Sequence, residues 1–115
     1  MILNQGFFQP TGNLYTATYS TTSATITIPA SAQVWDKVRV TNATANVVFM
    51  QISLTDPTTI VAPSAGASGS SNVFSVPPSQ TSFISTGITQ PGNVYISTIS
   101  AVGTGAVGVQ TGSFL

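Results

Sequence analysis

Cysteine, histidine and glutamate are missing from this chain, and charge of either sign is scarce. Without cysteine, no disulfide staples the fold and no thiolate is available as nucleophile or metal ligand. Without His or Glu, acid–base work near neutral pH falls to Asp36 and Asp56. Both sit in turn contexts, beside Lys37 and Pro57, where Asp commonly initiates turns. A glycosidase would need them facing each other across a cleft. Soft metals need His or Cys, and a calcium site gathers several carboxylates. The expectation is no enzyme, with no catalytic, cofactor-binding or metal-binding residue.

Charged residues make up 3% of the chain, against about 25% in an average soluble protein. Lys37 and Arg39 balance the two Asp, so the net charge is zero. A phosphate backbone or an anionic lipid surface is held through clustered Lys and Arg, so neither nucleic acid nor membrane is an expected partner. Long apolar runs are absent too. The longest clean one, Val47-Val48-Phe49-Met50, is far below the roughly 18 residues of a membrane span. Met1 to Phe8 lacks the basic start and longer apolar stretch of a signal peptide.

Two motif-like strings fail on context. Gly103-Thr104-Gly105-Ala106-Val107-Gly108 matches G-x-G-x-x-G, but no acidic residue follows it and β-formers stand where a helix must start. Gly66-Ala67-Ser68-Gly69 falls short of a nucleophile elbow, and no His completes a triad.

What remains is a chain built for strands. Apolar residues reach 42%, enough for one core in 115 residues. Period two dominates: Ala24, Ile26 and Ile28 alternate with Ser23, Thr25 and Thr27, and Val38 and Val40 with Arg39 and Thr41. Val94 and Ile96 share a face opposite Tyr95, Ser97 and Ile99, and Val107 and Val109 repeat the pattern. No window carries a clean helical period. Strands are expected near 14–20, 23–29, 37–42, 46–54, 58–62, 72–77, 81–86, 93–100 and 106–111, separated by Pro, Gly, Asn and Asp turn signals. The spacing predicts an all-β, single-domain antiparallel β-sandwich, jelly-roll or Ig-like, with little or no helix. Pro63 to Ser71 is small and uncharged and reads as a loop.

The surface must then consist mainly of Ser, Thr, Asn and Gln. Neutral surfaces favour association, and interface cores are depleted in charge. Two readings follow: a surface module that tolerates neutrality, or a subunit covered by its neighbours. Residues 1–12 read as an apolar N-terminal arm ahead of a sandwich domain at 13–115. Ile2, Leu3, Phe7 and Phe8 in that arm, with Phe114 and Leu115 at the other end, are candidate interface residues. The arm serves either as an edge strand on its own core or as an insertion into a neighbouring subunit.

Three weaker signals remain. Asn42-Ala43-Thr44 fits an N-glycosylation acceptor, a triplet that a Thr-rich chain also produces by accident. Thr16-x-Thr18 and Thr25-x-Thr27 resemble hydroxyl rows that order water, although β-propensity alone places Thr in strands. Trp35, Tyr15, Tyr19 and Tyr95 are candidates for stacking on sugar rings, which would suit a carbohydrate-binding or adhesin-like module on a fibre or cell surface.

The central stretch Val38-Arg39-Val40-Thr41-Asn42-Ala43-Thr44-Ala45-Asn46-Val47-Val48-Phe49-Met50-Gln51 resembles short virion-associated proteins of tailed bacteriophages, in which a V-x-V-x-N turn precedes an aromatic strand. The likeness continues through Val73-Phe74-Ser75-Val76-Pro77-Pro78, Thr81 to Ser85, Gly92-Asn93-Val94-Tyr95-Ile96 and Gly108-Val109-Gln110-Thr111-Gly112, covering residues 23–112. Gly112-Ser113-Phe114-Leu115 replaces the usual acidic ending, so no role of that ending is carried over. The resemblance implies a small β-sandwich on the virion, a capsid decoration or cement protein. Its partners would be the major capsid protein or other virion subunits, and it would form a homo-oligomer, dimer or trimer.

Overall fold

The computed structural model describes residues 8–30, 35–54, 59–62, 69, 72–86 and 92–114. Among these there are nine strands and no helix: β1 (Phe8–Pro10), β2 (Tyr15–Tyr19), β3 (Ala24–Ile28), β4 (Lys37–Asn42), β5 (Val48–Ser53), β6 (Phe74–Val76), β7 (Gln80–Ser85), β8 (Val94–Ile99) and β9 (Gly105–Phe114). They form an antiparallel β-sandwich. One sheet has five strands, running β1-β9-β4-β7 with β2 also on β9; the other runs β3-β8-β5-β6.

Between jelly-roll and Ig-like wiring, strand pairing decides. The pairs β2·β9, β3·β8, β4·β7 and β5·β6 are nested and alternate between the two sheets. This is one long antiparallel hairpin rolled onto itself, the double-sheet jelly roll. The two halves are stitched within each sheet by β4·β9 and β5·β8.

The period-two alternation puts the expected side chains inside. Ala17, Ile28, Val38, Val40, Val48, Met50, Val76, Val94, Ile96, Val107 and Val109 are buried between the sheets with Tyr19 and Trp35. Thr98 is buried as well, and its Oγ1 donates to the Thr18 carbonyl oxygen at 2.9 Å, tying the four-stranded sheet to β2. Among the described residues, no buried side-chain polar atom lacks a hydrogen-bond partner.

The expected strand at 58–62 is corrected in its described part: residues 59–62 form no strand. Ile60 is buried there, and its N–H donates to Ser23 Oγ at 3.0 Å, so a side chain meets the donor that a ladder would have used. The last strand is longer than its expected 106–111, because Gly112 to Phe114 pair with β1, in the register Phe8↔Phe114 and Pro10↔Gly112. Phe8 to Pro10, the described strand of the N-terminal arm, is thus a strand of the five-stranded sheet. Ile2, Leu3, Phe7 and Leu115 lie outside the described residues, as do residues 63–71 apart from Gly69.

Strands β1 and β2 lie end to end along one side of β9. Pro10 pairs with Gly112 and Tyr15 with Val109, so four residues on this edge span two on β9. The interruption is a local bulge, held by Thr11 N–H to the Thr111 carbonyl at 3.0 Å and by Gln110 Nε2 to the Gly12 carbonyl at 3.1 Å. Because the offset is even, the alternation of inner and outer faces continues across it.

Candidate functional site

The outer face of the five-stranded sheet carries the only two cations of the chain and three phenylalanines. On β4, Val38 and Val40 are fully buried, which turns Lys37, Arg39 and Thr41 outward. Arg39 stands opposite Phe83 of β7 on one side and Gln110 of β9 on the other. Lys37 stands opposite Ser85 and Gly112. Phe8 and Phe114 face each other across β1 and β9.

Gly112 makes the cluster possible. A Cβ there would lie 2.5 Å from Phe8 Cζ and closer still to the Gln9 carbonyl oxygen, so a bare backbone is needed for the ring to lie across β9. The three rings converge over this gap. Their centroids are 5.6 Å apart for Phe8 and Phe83, 5.3 Å for Phe83 and Phe114, and 6.5 Å for Phe8 and Phe114, all tilted or edge-on. Such pairs contribute about 0.5–1.5 kcal/mol each beyond their buried area.

The cations are woven into the rings. The Arg39 guanidinium carbon lies 4.9 Å from the Phe8 centroid, and Lys37 Nζ lies 5.6 Å from that of Phe114. Arg39 Nη2 donates to Gln110 Oε1 at 2.5 Å, while Lys37 Nζ pairs with Asp36 at 3.0 Å. The cluster nevertheless stays open to solvent, with Phe83 43% and Phe114 39% exposed. Further along the face Leu14 is 63% exposed, its Cδ1 3.4 Å from where a Cβ on Gly108 would lie. Exposed phenylalanines beside an Arg match the residue types enriched in protein interfaces.

Of the candidate interface residues, the structure brings Phe8 and Phe114 together. Phe83 was not singled out from the sequence. Phe83 and Ile84 are adjacent apolar residues between Ser82 and Ser85, so alternation alone does not say which one faces out.

The four aromatics considered for sugar stacking form no common platform. Trp35 is 2% exposed and packed in the core. Tyr19 is 3% exposed, and its hydroxyl donates to Thr44 Oγ1 at 2.7 Å and accepts from Asn46 Nδ2 at 3.2 Å. Tyr15 packs against the core from the same strand. Tyr95 lies on β8 of the other sheet, on the face opposite buried Val94 and Ile96. Trp35 also lines a cleft of about 350 Å³ with Ile52, Phe74 and Ile84, an apolar recess between the sheets. Thr25 and Thr27 share the outer face of β3, where Thr25 Oγ1 and Ser97 Oγ hydrogen-bond at 2.8 Å.

The Asn42-Ala43-Thr44 triplet has a structural explanation. Asn42 is fully buried; its Nδ2, the atom a glycan would modify, donates to the carbonyls of Asn46, Val76 and Pro77. Its Oδ1 accepts from Thr44 N–H at 3.0 Å, closing an Asx turn. Among the described residues, no group of three or more His, Cys, Asp or Glu is placed to hold a metal ion.

Compared with known proteins, the chain matches no protein-family model, no curated protein and no solved structure.

Proposed function

We propose that this chain is a structural subunit of a tailed-bacteriophage particle, a capsid decoration protein that bridges major capsid subunits. The observation that carries the reading is the open aromatic and cationic face, built by both ends of the described chain around β4 and β7. A nearly uncharged domain with one such face is suited to being covered rather than to turning over a substrate. The jelly-roll wiring agrees by analogy, since this architecture serves viral capsid domains as well as lectins. The likeness of residues 23–112 to virion-associated proteins points the same way.

The mechanism is linkage. A protein that binds the assembled shell and not its separated subunits raises shell stability by mass action. Each site contributes about 2.7 kcal/mol at a free concentration one hundred times Kd. Repetition over the shell multiplies a small local effect. We also propose that the chain acts as a dimer or trimer, so that one oligomer touches several capsid subunits.

Cryo-electron microscopy of the native particle tests this reading. Density for the sandwich on the head, seated between capsid subunits, is the expected result. Density confined to the neck, tail or a fibre rejects the decoration role, and a protein found free of any particle rejects the virion role altogether.

A further inference from the structure

We infer that the outer face of the five-stranded sheet docks onto an acidic, apolar-bordered protein surface, with Arg39 receiving a partner carboxylate between Phe8 and Phe83. The inference rests on the proposed virion role and names the chemistry of the surface that the chain would meet there.

The argument begins with Arg39. Its guanidinium carries five N–H donors in a planar fork. One side of the fork is held by Gln110 Oε1, and its central carbon lies over the Phe8 ring, 4.9 Å from the centroid. Among the described residues that is its one hydrogen-bond acceptor, and Arg39 has no carboxylate partner; the described ion pair is Lys37 with Asp36. The fork is therefore pre-oriented, partly exposed and short of acceptors. Such an Arg is matched by a carboxylate, which accepts two parallel N–H bonds. Bordering rings at Phe83 and Phe114 would exclude water around that pair once covered, the arrangement in which an interfacial Arg matters most.

Charge complementarity selects among occupants. A second copy packed face to face about a two-fold axis would set Arg39 and Lys37 near their own duplicates. The chain has two acidic residues to answer them: Asp36, already on Lys37, and Asp56, outside the described residues. Single-stranded nucleic acid also stacks on exposed aromatics beside cations. Its affinity, however, grows with the number of phosphates neutralised, and two cations support only weak binding. An acidic protein surface satisfies both the unfilled fork and the exposed rings.

The test is rebinding of purified protein to particles stripped of it, measured at low and high salt. Wild type is expected to bind more weakly as salt rises, because a partly exposed ion pair is screened. Arg39→Gln and Phe83→Ser are each expected to weaken binding roughly thirtyfold, the scale of a hot-spot residue. Arg39→Gln should also flatten the salt dependence, whereas Phe83→Ser should retain it. Thr27→Lys, on the outer face of the other sheet, should rebind like wild type. Unchanged thermal melts would show that the variants are folded. If wild type rebinds and both face variants match it within twofold, the inference is overturned and the virion role survives. If wild type does not rebind at all, both fall. Tighter binding to a (dT)20 oligonucleotide than to the particle, lost in Arg39→Gln, overturns the inference in favour of nucleic acid. A wild-type oligomer in solution that Phe83→Ser disperses overturns it in favour of a second copy.

Discussion

Replacing Asn42 by Ala removes the polar knot under the β4–β5 turn, and its cost follows from the hydrogen bonds lost. Asn42 Nδ2 donates to the carbonyls of Asn46 at 2.8 Å, Pro77 at 3.1 Å and Val76 at 3.2 Å. Its Oδ1 accepts from Thr44 N–H at 3.0 Å and Thr44 Oγ1 at 2.6 Å. Thr44 in turn holds the Tyr19 hydroxyl, so one side chain joins β2, the β4–β5 turn and the end of β6. A stranded buried polar group costs about 1–3 kcal/mol, and leaving two of these partners without a bond gives about 3 kcal/mol. The unfolding entropy of a domain this size is about 0.24 kcal/mol/K at its midpoint, so Tm should fall by about 12 °C. Urea denaturation should show a lower midpoint with an unchanged slope, which separates lost stability from a changed unfolded state.

Asn42→Asp sharpens the test. The carboxylate would keep the Thr44 contacts but point negative charge at three carbonyl oxygens in a buried site, so its pKa is raised in the folded state. A raised folded pKa means that the folded form holds the proton more tightly. Stability is then greatest below the ordinary carboxylate pKa of about 4 and is lost as pH rises through the folded value. Asn42→Asp should therefore be worse than Asn42→Ala at pH 7 and recover in acid. A Tm change below about 2 °C for the Ala variant, or a pH-independent Asp variant, would refute the reasoning.

Other substitutions probe separate contacts. Gly112→Val should cost about 1–3 kcal/mol, because its Cβ collides with Phe8 and the backbone of β1; amide exchange should quicken in β1 before the rest of the sheet. Gly103→Ala should lower Tm by several degrees, since Gly103 has φ +81° and a Cβ there would lie 2.5 Å from Asn46 Nδ2. Trp35→Ala should cost about 3–5 kcal/mol in a denaturation curve, as loss of a buried ring from the core. Secretion from a glycosylating host should yield folded protein without a glycan on Asn42, checked by intact mass; occupancy there would contradict its burial.

Much of the fold was legible because a strand with one wet face writes itself in period two. Val38 and Val40 against Arg39 and Thr41 announced both the strand and the outward Arg. The Asn42-Ala43-Thr44 triplet was visible too, yet its meaning as an Asx turn depended on carbonyls from Val76 and Pro77, more than thirty residues away. The strand expected at 58–62 is absent from residues 59–62 for a related reason. Ile60 has the side chain of a strand residue, but its backbone donor is satisfied by Ser23, which no local pattern links to it.

The sequence by itself determined a neutral, cysteine-free, all-β chain, the alternation that fills its core, and two apolar ends. Tertiary structure alone decided that the chain rolls as a jelly roll and that Phe8 meets Phe114 beside Phe83 and Arg39. The reason is physical. Alternation is a local property of each strand, set by which side chains avoid water. The choice of partner strands, and of the Gly112 gap that lets the rings meet, depends on pairings between opposite ends of the chain, where many registers satisfy the same local pattern until the whole sandwich is closed.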